Sequence, residues 1–151
     1  LGTFSGYATL SMAEGLPEGA EIHTFEVFDE NEDFLREWFE ASAYKDKIHL
    51  HIGDALQLLP QMKEQWDLAF VDADKREYVA YYEMLLPMMR PGGYIIADNT
   101  LWYGRVLEEA RESDLQTRGV QAFNDLVASD NRVEKVILPL RDGLTLIRVK
   151  A

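Results

Sequence analysis

Two apolar segments of the chain have the pattern of buried strands, and each is followed by a turn rich in polar side chains. The segments span residues 66–71 and 94–97, and the turn residues are Asp72, Asp74, Lys75, Asp98 and Asn99. Because ligands of open α/β sheets bind beyond the carboxyl ends of the strands, we expect these side chains to lie close together. Three carboxylates and an amide around one point need a counter-charge, which a hard cation with oxygen ligands usually supplies. The pattern therefore predicts a metal-assisted active site.

Predicted strands and helices alternate along the rest of the chain. Further strands are predicted over residues 21–27 and 47–52, and helices over 8–14, 29–43, 56–63, 78–89 and 114–129. The final apolar segments, 133–140 and 144–149, flank Arg141-Asp142-Gly143 and are typical of an antiparallel hairpin. The alternation predicts one α/β domain over residues 1–151, with a mostly parallel sheet and helices on both faces.

Composition excludes several classes of function. The chain has 151 residues and a net charge of −12, which disfavours a general affinity for nucleic acid or for an anionic membrane. It has no cysteine, which excludes disulfides, thiolate zinc sites and a cysteine nucleophile. This composition fits the reducing cytoplasm, which is our predicted location. No apolar run approaches the roughly 20 residues that a membrane-spanning helix needs.

A glycine-containing turn near the start of the chain either forms a second binding region or is an ordinary loop. Gly2 and Gly6 flank this turn, and such a turn before a helix lets backbone N–H groups approach a ligand closely. Glu26 lies at the carboxyl end of the predicted strand 21–27, roughly 20 residues beyond the turn, where nucleotide-binding folds place an acid that binds ribose hydroxyls. A solvated loop acid is the alternative. Asp54, after the next strand, has two compatible interpretations: a helix N-cap or an acceptor for an adenine amino group.

Several aromatic and histidine side chains have less specific interpretations. The predicted helix at 29–43 has Asp29 as its expected N-cap and an apolar face that we assign to the core, formed by Phe34, Leu35, Trp38 and Phe39. His49 and His51 share one face of a strand without an evident third ligand, so we expect surface residues rather than a metal pair. No chemical partner is evident for His23. Trp102 either lines a flat substrate or packs on the sheet.

The chain resembles the cation-dependent O-methyltransferases of the catechol and caffeoyl-CoA type, which are class I S-adenosylmethionine-dependent enzymes. The resemblance covers nearly the whole chain. Its most specific pieces are Phe-Val-Asp-Ala-Asp-Lys at 70–75 and Asp-Asn-Thr-Leu-Trp-Tyr-Gly-Arg-Val at 98–106, and further agreement lies at 1–7 and 138–146. The resemblance implies a Rossmann-like methyltransferase sheet that ends in an antiparallel hairpin.

The resemblance also implies a role for each residue that matches the family pattern. The implied metal ligands are Asp72, Asp98 and Asn99, and the implied catalytic residues are Lys75, as general base, and Asp72. The implied cofactor-binding residues are Gly2, Phe4, Gly6, Glu26, Asp54, Ala55 and Asp72. Asp74 has no firm counterpart and either supports the site or is a weaker ligand. Oxygen ligands suit Mg²⁺ best, with Mn²⁺ and Ca²⁺ as further candidates.

A divalent cation would help to ionise the substrate hydroxyl, which must become a good nucleophile for methyl transfer. A free phenol has a pKa near ~10, so little of it is ionised at neutral pH. A cation bound to two adjacent oxygens stabilises the oxyanion and lowers that pKa. The three protein ligands leave room for two substrate oxygens and a water. A nearby dication also favours the neutral amine that Lys75 needs in order to act as a base.

The resemblance also bears on the substrate and on the assembly of the protein. The resemblance implies a small hydroxylated aromatic substrate, catechol-like or with another vicinal pair of oxygens, and a homodimer. Methylation of a hydroxylated uridine in tRNA is the alternative, while an NAD-dependent oxidoreductase lacks support because Gly-x-Gly-x-x-Gly is absent. A non-catalytic dimer module is a further alternative.

Family members carry N-terminal helices and a first strand that this sequence lacks, so we expect a longer parent protein. Without that strand, the sheet would have a gap lined by unpaired backbone groups.

Overall fold

Six strands form two separate hydrogen-bonded sheets in the computed structural model, which describes residues 1–151. The chain divides into two compact units, residues 1–61 and 62–151, and each unit holds one sheet. Two strand pairs are parallel and two are antiparallel, the last being the C-terminal hairpin. The predicted α/β class and the antiparallel hairpin are therefore confirmed.

The first unit is a parallel strand pair with three α-helices. Its elements are α1 (Tyr7–Glu14), β1 (Ile22–Glu26), α2 (Glu32–Glu40), β2 (Ile48–Ile52) and α3 (Ala55–Leu58), with 3₁₀ turns at Asp29–Asn31, Lys45–Lys47 and Leu59–Gln61. β1 and β2 run parallel in a register that pairs Ile22 with Ile48 and Glu26 with Ile52. The carboxyl ends of both strands therefore lie at the same edge of this sheet.

Three buried threonine hydroxyls connect the start of the chain to β1. The Thr24 hydroxyl lies 2.7 Å from that of Thr3 and 3.0 Å from that of Thr9. Each hydroxyl can donate and accept, so the three groups satisfy one another away from water. The cluster fixes the glycine-containing turn and α1 against the strand.

Helix α2 differs from its prediction in two respects. Asp29 is not its N-cap, since it begins a separate 3₁₀ turn and α2 starts three residues later, at Glu32. Leu35 and Phe39 are buried as predicted, but Phe34 and Trp38 are 51% and 50% exposed, so their assignment to the core was wrong. Neighbouring positions on a helix differ by about 100°, so the Phe34–Trp38 row lies at the border of the buried face.

The second unit is a four-stranded sheet with the strand order β3-β4-β6-β5. Its elements are β3 (Trp66–Val71), α4 (Tyr78–Leu85), β4 (Met89–Asp98), α5 (Leu115–Ser129), β5 (Val133–Leu138) and β6 (Leu144–Val149), with 3₁₀ turns at Lys75–Glu77, Leu86–Met88 and Trp102–Leu107. β3 and β4 are parallel, whereas β6 runs antiparallel to both of its neighbours. None of the helices in the protein combines the length and the apolar character that crossing a membrane requires.

Strand β4 is longer than the sequence predicts. Pro91-Gly92-Gly93 has the composition of a turn, yet it lies within β4, which begins at Met89. A Cβ atom on Gly93 would lie 2.9 to 3.2 Å from three backbone carbonyl oxygens, two of which belong to Trp66 and Asp67 of β3. Glycine therefore permits the close approach of the two backbones at the start of this pair.

Candidate functional site

The glycine-containing turn packs against the carboxyl end of β1. The backbone N–H groups of Gly2 and Thr3 both donate to the carbonyl oxygen of Phe25, at 3.2 and 3.1 Å. Gly2, Phe4 and Gly6 have positive φ angles of 85°, 48° and 76°. A Cβ atom on Gly6 would lie 2.8 Å from the ring of Phe39, so both conformation and space require glycine there.

Glu26 holds this turn in place through its carboxylate. The side chain is buried, with only 4% of the residue exposed. One oxygen, Oε2, accepts the N–H of Phe4 at 2.7 Å, and the other, Oε1, accepts the N–H of Phe28 at 3.0 Å. A carboxylate offers about four lone-pair positions, so Glu26 retains the capacity to accept further hydroxyl donors. The sequence placed Glu26 near the turn but did not reveal these two bonds.

Asp54 caps α3, as predicted. Its Oδ1 accepts the N–H of Leu56 at 2.9 Å, and its Oδ2 accepts the side-chain amide of Gln57 at 3.1 Å. The N–H of Gly53 donates to the backbone carbonyl of Glu26 at 2.7 Å, which brings the Asp54 turn next to the end of β1. Ala55 is buried behind the cap. The adenine role of Asp54 stays a prediction.

In the second unit, the carboxyl ends of β3 and β4 bring the predicted metal ligands to one edge of the sheet. Val71 pairs with Ala97 in parallel register, so Asp72 directly follows one strand and Asp98 ends the other. Adjacent strands lie roughly 4.8 Å apart. Asp98 Oδ1 accepts the N–H of Asn99 at 2.7 Å, and Asn99 has a left-handed φ of 58°.

These residues fit a divalent cation by their chemistry. Two carboxylates and one amide supply only oxygen donors, and they follow neighbouring strand ends in a sharply turned backbone. Oxygen donors of this kind are the ligands that Mg²⁺, Mn²⁺ and Ca²⁺ prefer. The assignment of Asp72, Asp98 and Asn99 as ligands stays a prediction.

Lys75 is a buried side chain beside the predicted metal ligands. Only 5% of the residue is exposed. Its Nζ atom lies 2.9 Å from Asp72 Oδ1 and 2.5 Å from the hydroxyl oxygen of Tyr78. A buried amine needs such partners, because leaving its N–H groups unpaired away from water is costly. The two contacts fix the nitrogen at the strand edge.

Tyr78 is the residue of this site that sequence reasoning missed. Its hydroxyl lies 3.1 Å from the backbone carbonyl of Val71 and 2.9 Å from that of Asp98, in addition to its contact with Lys75. Burial, together with the nearby charges of Asp72 and Asp98, raises the pKa of Tyr78 far above its usual value. Tyr78 is therefore a neutral phenol that joins both strand ends to Lys75. The one sequence signal is its spacing, three residues after the lysine on a helical segment.

Asp74 has a structural role. It is the N-cap of the 3₁₀ turn that contains Lys75, and its Oδ1 accepts the N–H of Arg76 at 3.0 Å. The Arg76 guanidinium also donates to both oxygens of Asp74, and these hydrogen bonds lower the pKa of the Asp74 carboxyl. Asp74 therefore fixes the turn that contains Lys75, and its relation to a metal ion stays a prediction.

The segment after Asn99 is held by the hairpin turn. The N–H of Leu101 donates to the carbonyl of Asp142 at 2.9 Å, and the N–H of Tyr103 donates to Asp142 Oδ1 at 2.6 Å. Tyr103 is 81% exposed, whereas Trp102 is half-buried with its indole N–H enclosed and without a hydrogen-bond partner. These contacts fit partial packing of Trp102, and its contact with a substrate stays a prediction.

The expectation that His23 lacks a chemical partner was wrong. Its Nδ1 lies 3.0 Å from Nε2 of His51, and its Nε2 lies 3.8 Å from a carboxylate oxygen of Glu21. The register of β1 and β2 pairs His23 with His49. Sequence periodicity within one strand could not reveal these contacts, since they depend on how two strands align.

Gly119 lets α5 approach the backbone of Lys75. A Cβ atom at this position would lie 2.2 Å from the Lys75 carbonyl oxygen and 2.8 Å from the Cα atom of Arg76. Inside a helix, alanine is usually more stable than glycine by roughly 0.5–1 kcal/mol. Forcing an extra methyl group into a packed contact, however, costs about 1–3 kcal/mol. We expect Gly119→Ala to lower the free energy of unfolding by about 1–2 kcal/mol, measured by urea denaturation.

Gly15 provides the matched control for this substitution. A Cβ atom on Gly15 would lie no closer than 3.6 Å to its nearest neighbour, and the residue has a φ of −85° that alanine adopts without strain. We expect Gly15→Ala to leave stability unchanged or slightly increased. Equal unfolding free energies for both variants would contradict the importance of the contact between α5 and Lys75.

Comparison with known proteins places the chain in a family. A family model described as O-methyltransferase matches residues 1–150. The chain is 31% identical to a catechol O-methyltransferase of Niastella koreensis over 99% of the chain and 72% of that protein. It is 38% identical to caffeoyl-CoA O-methyltransferase 2 of Zea mays over 98% of the chain and 60% of that protein.

A solved structure agrees with these sequence matches. The O-methyltransferase TomG from Streptomyces achromogenes, determined in complex with SAM, has a TM-score of 0.92 and is 26% identical, covering 99% of this chain and 71% of that one. The Rossmann-like methyltransferase fold is thereby confirmed. The chain spans between 57% and 72% of the length of the curated relatives it matches. Sequence and fold agree that the chain belongs to the O-methyltransferase family.

Proposed function

We propose that the protein is a divalent-cation-dependent O-methyltransferase that moves a methyl group from S-adenosylmethionine to a hydroxyl group of a small molecule. The observation that carries this proposal is the buried Lys75, bonded to Asp72 at the strand edge shared with Asp98 and Asn99. The proposed acceptor is a catechol-like compound or another compound with two vicinal oxygens. The names of the relatives from Niastella koreensis and Zea mays support this substrate class.

The chain supplies the metal ligands and the base from one edge of the four-stranded sheet. Asp72, Asp98 and Asn99 would hold the cation, for which we propose Mg²⁺. When bound, such a cation stabilises the substrate oxyanion, lowers the pKa of the hydroxyl and fixes the orientation of the two oxygens. The residues of the chain then have to position the substrate, exclude water and remove one proton.

Lys75 is placed to remove that proton. A neutral lysine amine has two N–H donors and one lone pair. With the hydrogens directed to Asp72 Oδ1 and the Tyr78 hydroxyl, the lone pair is left to accept the substrate proton. The bound S-adenosylmethionine would supply the methyl group: its carbon–sulfur bond would break, leaving a neutral thioether, as the substrate oxygen bonds to the methyl carbon. The proton resides on Lys75 until solvent removes it.

The cofactor would bind the first unit at the turn held by Glu26. We propose that Gly2, Phe4 and Gly6 contact its methionine part and that Glu26 accepts the ribose hydroxyls. Asp54 and Ala55 would lie beside the adenine. The fixed contact between Phe4 and Glu26 supports this assignment, since it orders the turn before any ligand arrives.

Glu26→Gln is expected to weaken the binding of S-adenosylmethionine by roughly ten- to a hundredfold. A glutamine can accept only one of the two backbone N–H groups now bound by Glu26, so one donor at the turn loses its partner. Losing a hydrogen bond to a charged group costs about 1.5–3 kcal/mol. Isothermal titration calorimetry measures the change, and Glu18→Gln at an exposed position is the control. Equal dissociation constants for Glu26→Gln and wild type would remove Glu26 from the proposed site.

A methyl-acceptor screen tests the proposed function directly. The purified protein is incubated with radiolabelled S-adenosylmethionine and either a panel of catechols and other vicinal diols or total tRNA, each with Mg²⁺ or with EDTA. We expect labelling of catechol-like compounds that requires Mg²⁺. Labelling of tRNA alone would establish the hydroxyuridine alternative. Binding of NADH without any binding of S-adenosylmethionine would overturn the proposal.

Assembly and location are further parts of the proposal. We propose a homodimer, which light scattering after size-exclusion chromatography tests through the molar mass. We propose the cytoplasm as the location, a choice compatible with a chain that has no cysteine. Cell fractionation tests this second point.

A further inference from the structure

The amino end of the two-stranded sheet carries a group of imidazole and carboxylate side chains that methyl transfer does not use. Glu21 directly precedes β1, while His23 and His49 are register partners on β1 and β2. Glu26 lies at the opposite end of β1, three residues beyond His23 and therefore roughly 10 Å away along the strand. The group is thus separate from the proposed cofactor site.

The potential ligand atoms of this histidine and carboxylate group are close enough together to bind one ion. The potential ligand atoms of Glu21, His23 and His49 all lie within 4.8 Å of one another. Glu21 Oε2 lies 3.2 Å from Nε2 of His49 and 3.8 Å from Nε2 of His23. Three ligands that each lie about 2 Å from a tetrahedral ion are roughly 3.3 Å apart. Small side-chain rotations would therefore complete the arrangement.

The Nε2 atom of His49 is the first sign that this arrangement is incomplete without a cation. The atom is buried and makes no hydrogen bond, although the carboxylate oxygen of Glu21 is 3.2 Å away. A buried polar atom without a hydrogen bond is unusual and costs free energy. Coordination of an ion between this nitrogen and the carboxylate would satisfy both groups.

The bond between His23 and His51 is the second sign. Metal-bound histidines usually donate their other ring N–H to an acceptor, which fixes the tautomer and the ring orientation. If Nδ1 of His23 donates to Nε2 of His51 across 3.0 Å, the lone pair of His23 lies on the Nε2 atom that approaches Glu21. His51 itself stacks on Phe25 with ring centroids 4.7 Å apart, so the acceptor is held in place.

We propose that Glu21, His23 and His49 form a binding site for a first-row divalent transition metal, represented by Zn²⁺, with His51 as a positioning residue. Two imidazoles and one carboxylate suit Zn²⁺ and its neighbours, whereas Mg²⁺ and Ca²⁺ require oxygen ligands. The ion would cross-link the amino ends of β1 and β2. This site is independent of the proposed methyl transfer, whose cation is bound by oxygen ligands in the second unit.

Calorimetric titration of the whole protein with Zn²⁺ in excess Mg²⁺ tests the site. The excess Mg²⁺ occupies the oxygen site, so we expect one Zn²⁺ bound per chain. His49→Gln and Glu21→Gln should each weaken binding by at least about tenfold, since each removes a ligand from an exposed or half-exposed position. Glu18→Gln, which changes an exposed carboxylate of the same unit, is the control and should leave Zn²⁺ binding unchanged.

His51→Phe distinguishes a metal site from a set of ordinary ion pairs. Phenylalanine keeps an aromatic ring against Phe25 but removes the acceptor for Nδ1 of His23, so we expect Zn²⁺ affinity to fall by about 10–100-fold. Zn²⁺ should also raise the melting temperature of the wild type but not that of His49→Gln. Equal Zn²⁺ affinity of the wild type and the His49→Gln and Glu21→Gln variants would overturn the proposal, whether or not the protein methylates catechols.

Discussion

Asp98→Ala is expected to reduce methyl transfer on the order of 10³-fold and to make the residual rate insensitive to Mg²⁺. The substitution removes the carboxylate that we propose as a charged oxygen ligand, at the end of β4 and next to the Asp72 turn. A catalytic cation contributes several kcal/mol of transition-state stabilisation, and each 1.36 kcal/mol corresponds to a factor of ten in rate. The measurement is the initial rate of methyl transfer over a range of Mg²⁺ concentrations for the wild type and the variant.

Two control variants separate loss of the metal ligand from damage to the fold. Asp98→Asn retains an oxygen that can accept the N–H of Asn99, as Asp98 Oδ1 does at 2.7 Å, but it loses the negative charge. We expect Asp98→Asn to keep the turn and to need more Mg²⁺ for half-maximal rate. Asp67→Ala removes an exposed carboxylate near the other end of β3 and should retain activity. Full activity of the wild type in EDTA would rule out the cation model.

The end-of-strand carboxylates could be predicted because their placement follows from topology. Apolar runs mark β3 and β4, and two parallel strands in a sheet bring their carboxyl ends to the same edge. Asp72 and Asp98 are therefore neighbours in any fold with this strand pairing, which the register of Val71 and Ala97 shows. A different argument, the spacing of Glu26 from the glycine-containing turn in nucleotide-binding folds, placed it beside this turn, where its carboxylate accepts the N–H of Phe4 at 2.7 Å.

Contacts that depend on tertiary packing could not be predicted in this way. Tyr78 has the pattern of an ordinary helical core residue, and its link to Lys75 and both strand ends requires the three-dimensional path of the chain. Gly119 lies in the middle of a helix, where glycine is unfavourable, and this was the one local signal of the close contact with the Lys75 backbone. The pairing of His23 with His49 depends on strand register, which periodicity within a single strand does not contain.

Lys75→Met is expected to lower the turnover number by about 10²–10⁴-fold while leaving the affinity for S-adenosylmethionine nearly unchanged. Methionine preserves the apolar stem in this buried position but removes the amine that contacts Asp72 and Tyr78. The carboxylate that loses its partner, that of Asp72, belongs to a side chain that is 45% exposed and can be hydrated, so the variant should fold. Single-turnover rates measure the chemical step, and calorimetry measures cofactor binding.

Arg76→Met is the matched control, since it removes an adjacent cation whose side chain is 56% exposed and pairs with Asp74 instead.

The dependence of the rate on pH distinguishes a base from a residue that only orients the substrate. Without Lys75, the substrate must lose its proton to water before it reacts, so the rate of Lys75→Met should rise towards the wild-type rate as pH increases towards the pKa of the bound phenol, which the cation lowers below the free value of about 10. The wild type, which has its own base, should gain less over the same range. A rate deficit that stays constant with pH would instead assign Lys75 to orientation, because the missing function would then not be proton removal.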